Sequence, residues 1–282
     1  MATTEELKSQ QFKQWTDNAP GWDGMHERLE RELSSVTERL CREARLAPGM
    51  RVLDLACGSG HPALNAAKLV APGGSVLATD MVPEMVEATR RRAAEAGLTN
   101  LQTRVLDAEA IDLPDASFDA VTCRFGVMFC ARPSVAIAGI HRVLKPGGWF
   151  ALSVWSEPQN SPGQTVMGEA LRRYGREQPP VDFDSPGVYQ LAPKGKLESL
   201  LREAGFHDIS IEPLPVTMQY ESYDAFLNRQ TVRPGPLRTM LETIKPDEAQ
   251  RLSDIVIDVL KPYTQDGVIS LVSTPLMASA QK

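Results

Sequence analysis

Cysteine and histidine are scarce in this 282-residue chain, with four of each. Cys41, Cys57, Cys123 and Cys130 form no CxxC pair and no Cys/His cluster, which speaks against a structural zinc site or a disulfide framework. No metal is expected, and the thiols should be reduced and packed. Long apolar runs are also missing: nothing approaches the ~18 uninterrupted apolar residues of a membrane span. The opening MATTEELKSQ carries acidic residues where an export signal needs a basic region and an apolar run. A cytoplasmic location without membrane insertion is the expectation. Nor is there an excess of positive charge, since the formal net charge is −6 and offers a polyanion no general attraction. The one basic run, Arg90 to Arg92, lies beside Glu87 and Glu95 and reads as a solvated helix face.

What is present is an ordinary globular mixture, 42% hydrophobic and 23% charged, in a chain long enough for one α/β domain plus a subdomain. Leu29, Leu33, Val36, Leu40 and Ala44 recur at helical spacing and stop before Pro48 and Gly49. The short apolar run from Arg51 to Ala56 then reads as a buried strand. Helices and strands alternate from there to Trp155, with turns at Pro72-Gly-Gly and Lys145-Pro-Gly-Gly148. Such alternation implies right-handed βαβ crossovers, a largely parallel sheet with helices on both faces, and a ligand beyond the carboxyl ends of its strands. The chain divides accordingly into an N-terminal helical lid (1–47), a core (48–155), a cap insertion (156–192), a core continuation (193–215), a second cap insertion (216–262) and a C-terminal strand region (263–282). Pro275 argues against one unbroken central strand from 268 to 278.

The most informative segment is Val52-Leu-Asp-Leu-Ala-Cys-Gly-Ser-Gly-His61. A carboxylate near the end of a buried strand is costly unless it receives hydrogen bonds or meets a cation, and small residues after it let backbone approach a ligand. Asp54, Ala56, Gly58 and Gly60 together suggest a pocket wall. Asp80, followed by Met81, ends the next strand, where a carboxylate can accept from ribose hydroxyls or cap the following helix. Asp107, with Ala108 behind it, could accept from an adenine amino group or cap a short turn. Gly58-Ser-Gly-His-Pro-Ala63 also satisfies the short dinucleotide pattern G-x-G-x-x-A, so an NAD-dependent oxidoreductase is a competing reading.

The segments VLDLACGSG at 52–60, LATD at 77–80, DAEAIDLPDASFDAV at 107–121 and RVLKPGGWFALSVW at 142–155 resemble the class I S-adenosylmethionine (SAM) dependent methyltransferases. The likeness is to the small-molecule group related to ubiquinone/menaquinone biosynthesis, and it is looser over LESLLREAGFHDISIE, 197–212. It implies an open, Rossmann-like sheet of seven strands in the order 3-2-1-4-5-7-6 and SAM as cofactor. By that resemblance Asp54 is the acidic residue of the first motif, Asp80 holds ribose, Asp107 meets adenine, and backbone near Ala56 faces the amino-acid part. Met81, Ala108 and Cys123 would line the same site. Ala56 departs from the fuller pattern, which has glycine there.

The implied reaction is transfer of a methyl group to an oxygen, carbon or nitrogen nucleophile of a small, partly apolar metabolite. RNA or protein acceptors are the alternative, and would call for a basic groove or a peptide-sized channel. His61 and His26 are the candidate bases, though helix-end bonding explains either without chemistry. Trp22, Phe125, Met128, Trp155 and Tyr189 are candidates for apolar contact with the acceptor, Arg124 and Glu169 for polar contact. The sequence leaves the oligomeric state open.

Overall fold

The computed structural model describes residues 3–177, 180–232 and 244–282. Its contacts divide the chain into two units, residues 1–156, 182–214 and 275–282, and residues 157–181 and 215–274.

The first unit is built on a seven-stranded sheet. Helices α1 (Thr4–Gly24) and α2 (His26–Glu43) precede β1 (Arg51–Leu55); α3 (Ala63–Leu69), β2 (Ser75–Asp80), α4 (Pro83–Glu95), β3 (Leu101–Val105) and β4 (Phe118–Arg124) follow. Next come α5 (Pro133–Val143) and β5 (Leu144–Trp155), and later α7 (Lys196–Glu203), β6 (His207–Pro213) and the last strand, β10 (Pro275–Gln281). The order is β3-β2-β1-β4-β5-β10-β6. Counting only this sheet, β10 is its seventh strand, so the order matches the one implied by the family resemblance.

The pattern has a direct physical cause. In β1, Val52, Leu53, Asp54 and Leu55 are all buried because parallel neighbours β2 and β4 flank the strand. In α2, Leu33, Val36, Thr37, Leu40 and Cys41 form the buried stripe. Thr3 caps α1, accepting from Glu6 N at 3.2 Å while its own N–H donates to the Glu6 carboxylate at 2.7 Å.

The second unit holds α6 (Pro162–Tyr174), β7 (Val216–Tyr220), α8 (Tyr223–Val232), α9 (Pro246–Leu260), β8 (Thr264–Gln265) and β9 (Val268–Ser273). Its three strands form an antiparallel sheet in the order β7-β9-β8. Val216, Met218 and Tyr220 alternate as the buried residues of β7, and Met218 and Tyr220 meet Phe226, Leu252, Val256, Ile269 and Leu271 in a separate core.

Two of the sequence boundaries move by more than one residue. Residues 182–192, expected in the first cap insertion, pack with the seven-stranded unit. The second insertion extends to 274, so residues 263–274 leave the expected core strand region. The extended run splits at Pro275: β9 joins the small sheet, and β10 begins on the proline, whose missing N–H costs least at a strand's first residue. Residues 1–2, 178–179 and 233–243, parts of the expected lid and insertions, lie outside the described residues. No helix among the described residues is long and apolar enough to cross a membrane.

Candidate active site

Three carboxylates stand at or just beyond the carboxyl ends of β1, β2 and β3. Asp54 is fully buried. Its register partner on β4 is Thr122, whose hydroxyl donates to Asp54 Oδ1 at 2.6 Å. The second oxygen, Oδ2, is buried without a hydrogen bond of ordinary geometry, although the Ala63 N–H acts on the carboxylate. Burial, with Asp80 adding to it, pushes the Asp54 carboxyl up to about 7. A buried acceptor atom so weakly bonded is costly, and a cationic ligand group would remove the cost.

After β1 the backbone turns sharply through left-handed conformations, φ +54° at Ala56 and +53° at Gly58. For alanine this conformation costs about 1–2 kcal/mol. A side chain at Gly58 would meet nothing within 4 Å, so the turn borders open space. Helix α4 clamps the turn from behind: Thr89 Oγ1 donates to Gly58 O at 2.9 Å and Arg92 Nη1 to Ser59 O at 3.1 Å. Asp80 holds it from the side, accepting from Gly58 N at 2.9 Å through Oδ2 and from Val82 N at 3.0 Å through Oδ1. Each Asp80 oxygen keeps further acceptor capacity for a pair of hydroxyls. Burial raises the Asp80 carboxyl above the usual range, against those bonds.

Asp107 takes the turn-cap role. Its Oδ1 accepts from Glu109 N at 2.8 Å, a turn cap, while Oδ2 pairs with Lys8 of α1. Ala108 is half-buried beside it. Glu109, which the sequence reading passed over, pins this loop to the one after β4 by accepting from Ala131 N at 2.7 Å and Arg132 Nε at 3.2 Å.

Helix α1 contributes a hydrophobic edge. Ala19 packs with Val82 and Met85, and Trp15, Trp22 and Met81 close around them. Trp15 stands 5.8 Å from Trp22 and 4.9 Å, edge to face, from Phe129. Trp22 and Met81 therefore share one cluster at the end of β2, and Trp15 extends it to the segment after β4.

This arrangement decides between the two cofactors. The dinucleotide reading would bring an anionic pyrophosphate to the turn after β1, where Asp54 presents a weakly bonded oxygen and Asp80 stands next to it. SAM instead carries an ammonium and a sulfonium, which suit such a carboxylate pair, and a ribose that suits Asp80. A family model described as a methyltransferase domain matches residues 53–152. The Coxiella burnetii ubiquinone/menaquinone biosynthesis C-methyltransferase UbiE is 34% identical over 175 residues, covering 59% of this chain and 70% of that protein. The chain belongs to the class I SAM-dependent methyltransferases.

The Mycobacterium tuberculosis protein Rv1405c, itself uncharacterized, is 40% identical over 147 residues, 52% of this chain and 50% of that protein. The chain thus spans about half the length of the mycobacterial relatives it matches. Among solved structures, the YcgJ protein of Bacillus subtilis shares the fold with a TM-score of 0.59 at 22% identity, over 88% of this chain and 98% of that one. The Haemonchus contortus phosphoethanolamine N-methyltransferase 2, solved with S-adenosylhomocysteine, does so with a TM-score of 0.54 at 19% identity, over 88% of this chain and 53% of that one.

On the far side of the turn, the chain presents Phe125, also left-handed at φ +59°. Its ring stacks on Trp155 at 4.4 Å and 11°. Strain of this kind persists where surrounding structure holds it, often at functional sites. Ser153 O accepts from Phe125 N at 3.0 Å, and Ser153 Oγ is buried with no partner. Gly187 N donates to Met128 O at 3.0 Å, bringing the segment with Tyr189 to the end of β4. Cys123 is buried, and its thiol is pushed up to about 12 by burial, so it is a packing group.

Several expected contacts take other roles. Met128 is enclosed in the core at 1% exposure, which removes it from an acceptor-facing set. Arg124 is not free for an anionic ligand, because Nη1 donates to Glu30 Oε2 and Thr37 Oγ1, both at 2.8 Å. Glu169 lies in the second unit and pairs with Arg172 at 2.7 Å and Arg173 at 2.9 Å on its own helix. His26 Nδ1 lies 2.9 Å from Arg92 Nη2 and 3.2 Å from Asp23 O, so this nitrogen is engaged within the α1–α2 junction. Arg92, expected on a solvated face, is 7% exposed and also pairs with Asp23. It ties the α1–α2 junction to the glycine turn.

His61 keeps a different geometry. Its Nδ1 lies 2.5 Å from Asn65 Oδ1 and 3.4 Å from Glu30 Oε1. Burial lowers its pKa, opposed by Glu30. Glu30 had no sequence signal beyond a polar position on an amphipathic helix. Among the described residues, no group of three or more His, Cys, Asp or Glu side chains could hold a metal ion.

Proposed function

We propose that this chain transfers the methyl group of SAM to an oxygen, carbon or nitrogen nucleophile of a small, partly apolar molecule. The observation that carries the reading is the weakly bonded Asp54 Oδ2 beside a turn bordered by open space, with Asp80 next to it. In this reading Asp80 accepts from the ribose hydroxyls, Asp107 from the adenine amino group, and Asp54 with the backbone at Ala56 meets the ammonium end. SAM supplies an electrophilic methyl on a sulfonium, so alignment and exclusion of water account for most of the acceleration.

The acceptor then lies toward the Phe125–Trp155 stack, a flat apolar wall. Cations near this edge are neutralised in place: Lys8 by Asp107, Arg92 by Asp23, Arg124 by Glu30 and Arg132 by Glu109. That favours an acceptor without phosphate groups over RNA. The deciding measurement is SAM affinity by calorimetry, followed by a screen of diverse acceptors with methyl-labelled SAM and mass-spectrometric identification of the product. A folded chain with no affinity for SAM would end the proposal.

Helix α1 is the lid in this reading, since Lys8 occupies the Asp107 oxygen that adenine would share. The pair is partly exposed, so it is worth at most ~1 kcal/mol. Lys8→Ala is therefore expected to speed SAM association up to about fivefold, read by stopped-flow quenching of Trp15 and Trp22 fluorescence. An unchanged association rate would exclude Lys8 as a latch.

A further inference from the structure

The Glu30–His61 pair lies between the glycine turn and the end of β4, and none of the proposed cofactor contacts uses it. Glu30 is anchored: Oε2 accepts from Arg124 Nη1 at 2.8 Å and from Thr37 Oγ1 at 3.2 Å. Its other oxygen, Oε1, faces His61 Nδ1 at 3.4 Å, and Asn65 Oδ1 faces the same nitrogen at 2.5 Å. Both neighbours of Nδ1 are acceptors, so Nδ1 carries the ring proton. Nε2 then holds a lone pair, and it has no hydrogen-bond partner among the described residues. The ring is not sealed in, since 15% of the side chain is accessible.

An imidazole with one nitrogen hydrogen-bonded to an amide oxygen, a carboxylate 3.4 Å from the same nitrogen, and the other nitrogen left as a free acceptor is arranged to take up a proton. His61 follows Gly60 directly, and Arg124, which fixes Glu30, directly precedes Phe125. The pair is thus tied through the chain to both the glycine turn and the residue before Phe125.

Resting on the methyl-transfer reading above, we infer that the acceptor bears an exchangeable proton, on a hydroxyl or an acidic C–H. His61 removes it through Nε2, with Glu30 as the positioning residue. The acceptor's O–H or C–H bond breaks, and its proton goes to Nε2. The electron pair so freed forms the bond to the methyl carbon, and the carbon–sulfur bond breaks with its pair left on sulfur. The positive charge that began on sulfur ends on the imidazolium, where the Glu30 carboxylate stabilises it. An acceptor without a removable proton, such as a tertiary amine, has no use for this pair.

The groups that set the charge state of His61 are Glu30 and His26 from α2 and Arg124 from β4. Burial lowers its pKa most, which keeps the ring neutral and able to accept near neutral pH, while Glu30 raises it. Removing the Glu30 charge therefore moves the ionisation further down.

Nitrogen-15 correlation spectra of the full chain test the arrangement without turnover, and should report His61 as the Nδ1–H tautomer. Kinetics then test the chemistry. His61→Gln is expected to lower kcat ~100-fold with KM for SAM unchanged, and to abolish the acid limb of the kcat–pH profile. Acceptors of greater acidity should recover part of the lost rate. Glu30→Gln should shift the acid limb to lower pH and reduce kcat less, about tenfold. An Nε2–H tautomer overturns the inference whatever the chain methylates. So does a His61→Gln variant with normal kcat, or an enzyme that methylates only acceptors lacking such a proton, and both of those results leave methyl transfer standing. A chain that binds no SAM brings down both readings.

Discussion

Asp80→Ala is expected to weaken SAM binding by ~100-fold or more, the largest loss from any single side chain at this site. Two hydrogen bonds from ribose hydroxyls to an ionised carboxylate are each worth roughly 1.5–3 kcal/mol. The structure adds a second consequence. Asp80 also accepts from Gly58 N and Val82 N, so alanine leaves two backbone donors without partners and costs stability as well. Asp80→Asn separates the effects, because it keeps one acceptor oxygen for the turn while losing the charge. Calorimetry for SAM and thermal unfolding of the three proteins provide the comparison. A folded Asp80→Ala with wild-type affinity would remove Asp80 from the ribose.

Asp54 is expected to tie cofactor binding to pH. Its carboxyl ionises at about 7 in the folded chain against an ordinary value of 3.8, burial being the main cause. The unfolded chain releases this proton first. Between those two values the folded state holds a proton the unfolded state lacks, so stability falls as pH rises from about 4 to 7 and is level above. Asp54→Asn has no such titration. Its stability relative to wild type should be greater at pH 8 than at pH 4.5, by ~4 kcal/mol at most. Binding follows the opposite trend. An ammonium brought to Asp54 Oδ2 favours the ionised form, so wild-type affinity for SAM should tighten as pH rises through 7. The variant should bind ~100-fold more weakly, with a flatter profile. Wild-type affinity independent of pH across that range would show that no cation meets Asp54.

How much of the site could be read before the fold was known depended on how local each signal is. Asp54, Ala56, Gly58 and Gly60 lie within seven consecutive residues, and Asp80 closes the next strand, so their gathering at one sheet edge was legible. The acceptor side was less so. Trp155 and Phe125 were both suspected, but their stack depends on a left-handed residue at the end of β4 that no spacing announces. Arg124 offered two readings, and the ion pair with Glu30 decided for the structural one. His26 and His61 looked equivalent as candidate bases. Arg92 and Asp23 engage Nδ1 of one, and Asn65 with Glu30 orients the other.

The core of the sheet and its ligand edge follow from sequence alone, because β1, β2 and β4 are short, largely buried runs, and Asp54, Asp80 and Asp107 sit at or just past the ends of β1, β2 and β3. Those signals survive in a one-dimensional pattern. Tertiary structure alone decided which charges are spent and which remain. Glu30 meets Arg124 across 94 positions, Arg92 accepts its place against Asp23 across 69, and Lys8 reaches Asp107 from another helix. It also sent β9 and β10, neighbours in the chain, to different sheets. Pairings of this kind are set by packing geometry between distant segments, and a local sequence window contains only one of the two partners.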